Sequence, residues 1–135
     1  MARIETTILR NLIEDEDYAR KVVPYLKSEY FFVDGERAIF DEVINFYRLY
    51  NKKPSISAIL IELGQSKKLS ESSAKTAEKL LDEFKTLDAV PDETWLLSKT
   101  ETFCKDKSIF IAMLKSIDIA EGKTKFDKGI IPELL

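Results

Sequence analysis

The stretch PDETWLLSKTETFCKDKSIFIAMLKSIDIA, from Pro91 to Ala120, decides the fold of this chain. After Pro91 it contains neither proline nor glycine, and Asp92 has a side chain that is typical of a helix N-cap. These features predict a single helix of about thirty residues, which would be roughly 45 Å long at 1.5 Å per residue. A helix of that length extends beyond the usual width of a domain of this size.

The hydrophobic pattern of this helix predicts that it leaves the core of the domain. The segment Ile109–Leu114 is apolar on every face and therefore needs cover on all sides. We expect the part from Trp95 to Phe103 to lie in the domain's own core, and the part from 109 to 117 to contact another protein. The alternative is that the second part also belongs to the core. The candidate interface residues are Phe103, Phe110, Met113, Leu114 and Ile117.

Composition indicates one soluble domain and argues against an enzyme. The 135 residues are 44% hydrophobic and 33% charged, with a net charge of −3, so nothing attracts the chain to phosphate backbones or anionic lipid. It has no histidine, which removes the usual general base and the commonest metal ligand. No membrane span or signal peptide is evident, and we expect a cytoplasmic protein.

Short motifs that might carry chemistry have simpler explanations. Cys104, the only cysteine, is predicted to be a half-buried apolar side chain rather than a nucleophile. Gly122-Lys123-Thr124 resembles the end of a phosphate-binding loop, but Ile117 stands where the motif needs glycine. The four acidic residues 14–17 lack the spacing of a calcium loop, and Asp15 is predicted to cap a helix. We therefore predict no catalytic residue, no metal site and no cofactor in this chain.

Residues 1–90 are predicted to form a compact head of about five short helices. The helices cover residues 3–13, a segment after Asp15 that Pro24 ends, 37–50, 56–63 and 70–87, and Gly64 is predicted to follow the fourth as its C′ residue. Asp34-Gly35 is predicted to be a turn. No segment alternates like a strand, so the class is all-α. The candidate core residues are Ile8, Leu12, Phe31, Phe40, Val43, Phe46, Leu60, Leu81, Phe84 and Trp95.

Two features of the head leave a nucleic-acid function open. The aromatic residues of helix 37–50 could stack on bases, although their spacing favours the core. Helices 56–63 and 70–87 have the outline of a helix-turn-helix, so a small DNA-binding or regulatory protein is the alternative hypothesis. The connection from 64 to 69 is longer than that motif uses, and Lys75, Lys79 and Lys85 are mixed with acidic residues, which is unfavourable for reading a groove.

Specific strings in the chain resemble the N-terminal domain of DnaB-type hexameric replicative helicases. They are the apolar pair Ile8 and Leu12, the run Tyr30-Phe31-Phe32, and Pro54-Ser55-Ile56 before the long last helix. YLKSEYF, KPSISA and WLLSKTETF are particularly similar to the T-even-type phage version. The resemblance covers nearly the whole chain.

The resemblance implies a non-catalytic assembly and docking domain. It implies a helical hairpin over 91–135 whose second helix begins near Pro132 and is cut short, and a ring built of dimers, as a trimer of dimers. Implied partners are the chain itself, primase and a helicase loader, with single-stranded DNA reached only through the assembled ring. The ATP-dependent 5'-3' helicase activity, with its ATP and Mg²⁺, would belong to a following domain.

Overall fold

Six α-helices account for most of the residues that the structure describes, and no strand occurs among them. The computed structural model describes residues 3–88 and 92–121. The helices are α1 (Ile4–Glu14), α2 (Glu16–Val22), α3 (Asp34–Tyr50), α4 (Ile56–Gln65), α5 (Glu71–Phe84) and α6 (Glu93–Ala120), with 3-10 turns at Val23–Tyr25 and Ser28–Tyr30. The predicted all-α class is confirmed. The predicted domain boundary at residue 90, the motif at 122–124 and the helix start at Pro132 lie outside the described residues.

Four helices are preceded by an N-cap residue whose side chain accepts a hydrogen bond from a backbone N–H in the first turn. Asp15 accepts from Tyr18 N at 3.1 Å, Ser55 from Ala58 N at 3.0 Å, Ser70 from Ser73 N at 3.1 Å and Asp92 from Thr94 N at 2.9 Å. Each such cap contributes about 1 kcal/mol to helix stability. Local sequence therefore determines where α2, α4, α5 and α6 start.

The start of α3 differs from the sequence prediction. Asp34 and Gly35 form the first turn of the helix instead of a separate turn before Arg37. A Cβ on Gly35 would lie 2.7 Å from Thr76 Cγ2 and 3.1 Å from the backbone nitrogen of Ala77. Gly35 is thus needed because α3 and α5 cross closely at this point, which local sequence does not reveal.

Gly64 does not end α4, contrary to the prediction. It lies inside the helix, which continues to Gln65, and apart from its chain neighbours and the nearby backbone of its own helix no heavy atom lies within 4 Å of the position of its missing Cβ. A left-handed residue does end α3, where Asn51 has φ 53°. Asparagine tolerates this conformation. Arg20 donates hydrogen bonds to both the side-chain and backbone oxygens of Asn51, at 3.2 and 2.8 Å.

One hydrophobic cluster lies between the five short helices and the first half of α6. Among the candidate core residues, Phe46 and Leu60 are half-buried and Trp95 is 46% exposed. Trp95 was wrongly expected in the core, because the inward face of α6 is occupied by the next residue, Leu96, and one step along a helix turns the side chain by about 100°. The buried candidates are Ile8, Leu12, Phe31, Phe40, Val43, Leu81 and Phe84.

Candidate interaction surface

The inner face of α6 is fixed to the head by a buried polar contact. The hydroxyls of Tyr18 in α2 and Thr100 in α6 are hydrogen-bonded at 2.6 Å, and Thr100 also donates to the carbonyl oxygen of Leu96 at 2.7 Å. Burial raises the pKa of Tyr18 above its usual value, so this phenol stays protonated. Nearer the start of α6, Lys21 donates to Glu93 at 2.9 Å, which raises the pKa of Lys21.

Phe103 belongs to the core rather than to a surface. It is 5% exposed, and its ring centroid lies 5.5 Å from that of Phe31 and 6.4 Å from that of Tyr30. The expectation that Phe103 lines an interface is therefore corrected. The ring points toward the head because Leu96, Thr100 and Phe103 recur at spacings of four and three residues, which places them on one side of a helix.

The second half of α6 carries a cluster of exposed apolar side chains, here called the tip surface. These residues share one end of the helix and are about half exposed; they are Ile109 (60%), Phe110 (46%), Met113 (55%), Leu114 (46%) and Ile117 (48%). Large contiguous apolar patches are uncommon on monomeric soluble proteins and mark binding sites. The tip surface includes the predicted interface residues other than Phe103.

A groove joins the tip surface to the head. Its walls are Ile4, Glu5 and Phe32 from the head, and its floor is α6 from Lys99 to Phe110. The rings of Phe32 and Phe110 lie 5.6 Å apart, and Lys107 Nζ lies 3.9 Å from the centroid of Phe32. Phe32, 44% exposed, was not singled out as a surface residue from the sequence, where the run Tyr30-Phe31-Phe32 suggested only core.

In residues 3–88 and 92–121, the other candidate sites do not assemble into a reactive centre. Within the part of the chain that the structure describes, no group of three or more His, Cys, Asp or Glu residues could hold a metal ion. Burial raises the pKa of Cys104, which disfavours the nucleophilic thiolate. In the acidic run, Asp15 caps α2 and Glu16 accepts a hydrogen bond from Lys53 N at 2.9 Å.

Most residues of the two features that might bind nucleic acid make contacts within the fold instead. In α5, Nζ of Lys75 lies 3.5 Å from a carboxylate oxygen of Glu71, and directly after the helix Nζ of Lys85 lies 3.5 Å from one of Asp82, so both cations face carboxylates. The apolar side of α5, comprising Ala77, Leu81 and Phe84, is buried.

The aromatic residues of α3 divide between the core and the surface. Phe40 is buried, and the Tyr47 hydroxyl donates to Leu12 O at 2.9 Å. Burial raises the pKa of Tyr47 to about 12. Tyr50 is 57% exposed, with its ring 4.7 Å from Phe46. The core expectation thus fits Phe40 and fails for Tyr50.

Comparison with characterised proteins supports the resemblance seen in the sequence. The chain is 30% identical over 137 aligned residues to the DnaB-like replicative helicase of Enterobacteria phage T4, an alignment that covers 95% of this chain. This chain is similar to a phage replicative helicase. The similarity was predicted from the sequence and is confirmed. The chain spans 28% of the length of that helicase. No profile of a known protein family matches the chain.

The similarity to the helicase includes the long helix as well as the head. An alignment over 95% of 135 residues leaves only about seven outside it, whereas α6 alone has 28. Most of α6, with part of its tip surface, therefore lies within the matched region. In the described part of the chain, no helix is both long and apolar enough to cross a membrane.

Proposed function

We propose that this chain is the non-catalytic assembly and docking domain of a replicative DNA helicase. The observation that carries the proposal is the tip surface. Its five large apolar side chains are about half exposed, on a helix whose first half packs against the head. The similarity to a DnaB-like replicative helicase supports the view that this chain is a fragment of a replicative helicase. Burying such a side chain is favourable by about 1.5–3 kcal/mol when it goes from fully exposed to fully buried.

The proposed occupant of the tip surface is a second copy of the chain. Copies paired in this way would form the dimers of a ring, as a trimer of dimers in the full protein, and the outer faces of the heads would dock primase and a helicase loader. Single-stranded DNA would be bound only through the assembled ring. ATP hydrolysis, with its Mg²⁺, would take place in a following domain, in the cytoplasm of a bacterial or phage-infected cell.

Light scattering after size exclusion tests this proposal on the 135-residue chain. We expect the wild-type chain to be dimeric at micromolar concentration and Met113→Asp to be monomeric, because an aspartate in an apolar contact loses hydration without gaining a partner. Met113 is chosen because no ring contact ties it to the head, and Phe110→Asp should give the same result. Ser108→Asp, exposed on another side of α6, is the matched control and should remain dimeric.

Circular dichroism separates loss of assembly from loss of folding. Met113→Asp, Phe110→Asp and Ser108→Asp should all keep the helical signal of the wild-type chain. A wild-type chain that stays monomeric at every concentration up to the millimolar range, or a Met113→Asp variant of unchanged mass, would contradict the proposed role of the tip surface.

A further inference from the structure

The tip surface alone is small for a stable contact. Five side chains that are each about half exposed offer on the order of 500 Å² per subunit, whereas a standard interface buries about 800 Å² on each partner. A second copy must therefore contact more of the molecule than the end of α6. The adjoining groove, with α6 as its floor, is the neighbouring surface that can supply this area.

The exposed side of α6 continues from the tip surface back to the start of the helix as a single stripe. Its residues are Trp95, Lys99, Thr102, Asp106 and Phe110, all of them exposed. They are separated by four, three, four and four residues, which keeps them on one face of a helix. The small side chain of Thr102 lies at the centre of the stripe, where it lets another helix approach closely.

Two residues in this stripe carry charges that have no side-chain partner among the residues that the structure describes. The side chains of Lys99 and Asp106 make no ion pair or hydrogen bond in residues 3–88 and 92–121. They are seven residues apart, roughly 10 Å along the helix at 1.5 Å per residue, so they do not pair with each other. On another side of the same helix, Glu101 and Lys105 do pair, at 3.0 Å.

The stripe is complementary to itself when it is reversed. Lys99 and Asp106 are equidistant from the midpoint between Thr102 and Phe103, at three and a half residues each. Trp95 and Phe110 are equidistant from the same midpoint, at seven and a half residues each. A two-fold axis through that midpoint therefore sets each cation opposite an anion and each indole opposite a phenyl ring, and each contact occurs twice.

We infer that two copies of this chain pair through antiparallel α6 helices about an axis at Thr102, with Lys99 of each copy facing Asp106 of the other and Trp95 facing Phe110. This inference rests on the self-association proposed above and specifies its register. The α6 helix of the second copy lies in the groove, against the wall formed by Ile4 and Phe32. In this register Phe110 and Met113 lie opposite Trp95 and Asp92 of the other copy, and Leu114 and Ile117 extend beyond the start of its α6. The rival register has its axis at Met113, where Ile109 meets Ile117, and leaves Lys99 and Asp106 outside the contact.

Charge exchange distinguishes these registers. Lys99→Asp places two aspartates opposite each other at both ends of the contact, and Asp106→Lys places two lysines there. We expect each single variant to raise the dimer dissociation constant, measured by sedimentation equilibrium at low salt, by roughly tenfold or more. The double variant Lys99→Asp/Asp106→Lys restores opposite charges and should return to within about threefold of wild type.

Mixing the two single variants provides an independent test. In a heterodimer of Lys99→Asp with Asp106→Lys, both contacts join an aspartate to a lysine, so the mixture should dimerise more tightly than either variant alone. Lys105→Asp and Glu101→Lys make the same charge changes off the stripe and should leave the dissociation constant within about twofold of wild type. All these differences should shrink at 1 M salt, where exposed charges are screened beyond about 3 Å.

The outcomes separate this inference from the proposal beneath it. If the single charge variants dimerise like wild type while Met113→Asp is monomeric, the register is wrong and the tip surface still mediates assembly. If the single variants dimerise more weakly and neither the double variant nor the mixture recovers, Lys99 does not face Asp106 across the contact. A wild-type chain without dimers would overturn both proposals.

Discussion

Replacing Gly35 by alanine tests whether the close crossing of α3 and α5 requires a glycine. The new Cβ would lie 2.7 Å from Thr76 Cγ2 and 3.1 Å from the Ala77 backbone nitrogen, so one helix must shift. Overpacking of this kind costs about 1–3 kcal/mol, and alanine regains at most about 1 kcal/mol of helix propensity over glycine. Because Gly35 lies in the first turn of α3, the gain is smaller, and we expect a net loss of about 1–2 kcal/mol.

Gly64 provides the matched control within the same chain. It is also helical, but nothing lies within 4 Å of its missing Cβ, so Gly64→Ala should stabilise the protein by about 0.5–1 kcal/mol. Urea denaturation followed by circular dichroism measures both changes. With a slope near 1.5 kcal/mol per M, Gly35→Ala should lower the midpoint by roughly 1 M and Gly64→Ala should raise it by roughly 0.5 M.

A second substitution tests the cause of the loss. Thr76→Ser removes Cγ2, the atom nearest the new Cβ, and keeps the Thr76 hydroxyl position that donates to Ser72 O. In the Gly35→Ala background it should recover part of the lost stability, and in the wild-type background it should be nearly neutral, which is the signature of coupled sites. A Gly35→Ala protein as stable as Gly64→Ala, or the absence of coupling, would refute the steric reasoning.

Further predictions concern the attachment of α6 and one buried carboxyl. Tyr18→Phe removes the buried hydrogen bond to Thr100 and should cost about 1–2 kcal/mol in urea denaturation. Adding Thr100→Ser keeps the hydrogen bond to the Leu96 carbonyl and should cost only about 1 kcal/mol more, for the buried methyl group that it removes. Leu96→Ala should cost about 2–5 kcal/mol and Trp95→Ala less than about 1 kcal/mol in dilute, monomeric protein, because Leu96 is 2% exposed and Trp95 is 46% exposed. Burial raises the pKa of Glu36 above 4.5. The stability due to this group is therefore highest below pH 4.5 and is lost as the pH rises through its folded pKa. Glu36→Gln should flatten that part of the stability–pH curve, and an unchanged curve would contradict the assignment.

The features that the sequence predicted correctly depend on neighbouring residues in the chain. The start of α6 follows from Asp92, and the starts of α4 and α5 follow from Ser55 and Ser70, because a cap acts within one turn. The tip surface follows from the apolar segment Ile109–Leu114, which has no polar side to present to water.

The features that were missed depend on elements far apart in the chain. Gly35 was predicted to form a turn because only the position of Thr76, forty-one residues later, explains why a glycine is needed inside a helix. Trp95 was wrongly placed in the core and Phe103 among the interface candidates, because the sequence of α6 does not show which of its sides the head covers. The groove wall at Phe32 depends on a contact with Phe110, across seventy-eight residues.

The attachment of α6 by its first half makes the helix a lever. Leu96, Thr100 and Phe103 are embedded in the head, and Phe110 and Ile111 still contact it. Ile117 lies about 21 Å beyond Phe103 along the axis at 1.5 Å per residue. A tilt of about 5° at the embedded end would therefore swing Ile117 by about 2 Å, more than the tolerance of a well-packed contact. Substitutions deep in the head, beneath Phe103, can thus misdirect a distant contact while leaving every residue of that contact in place.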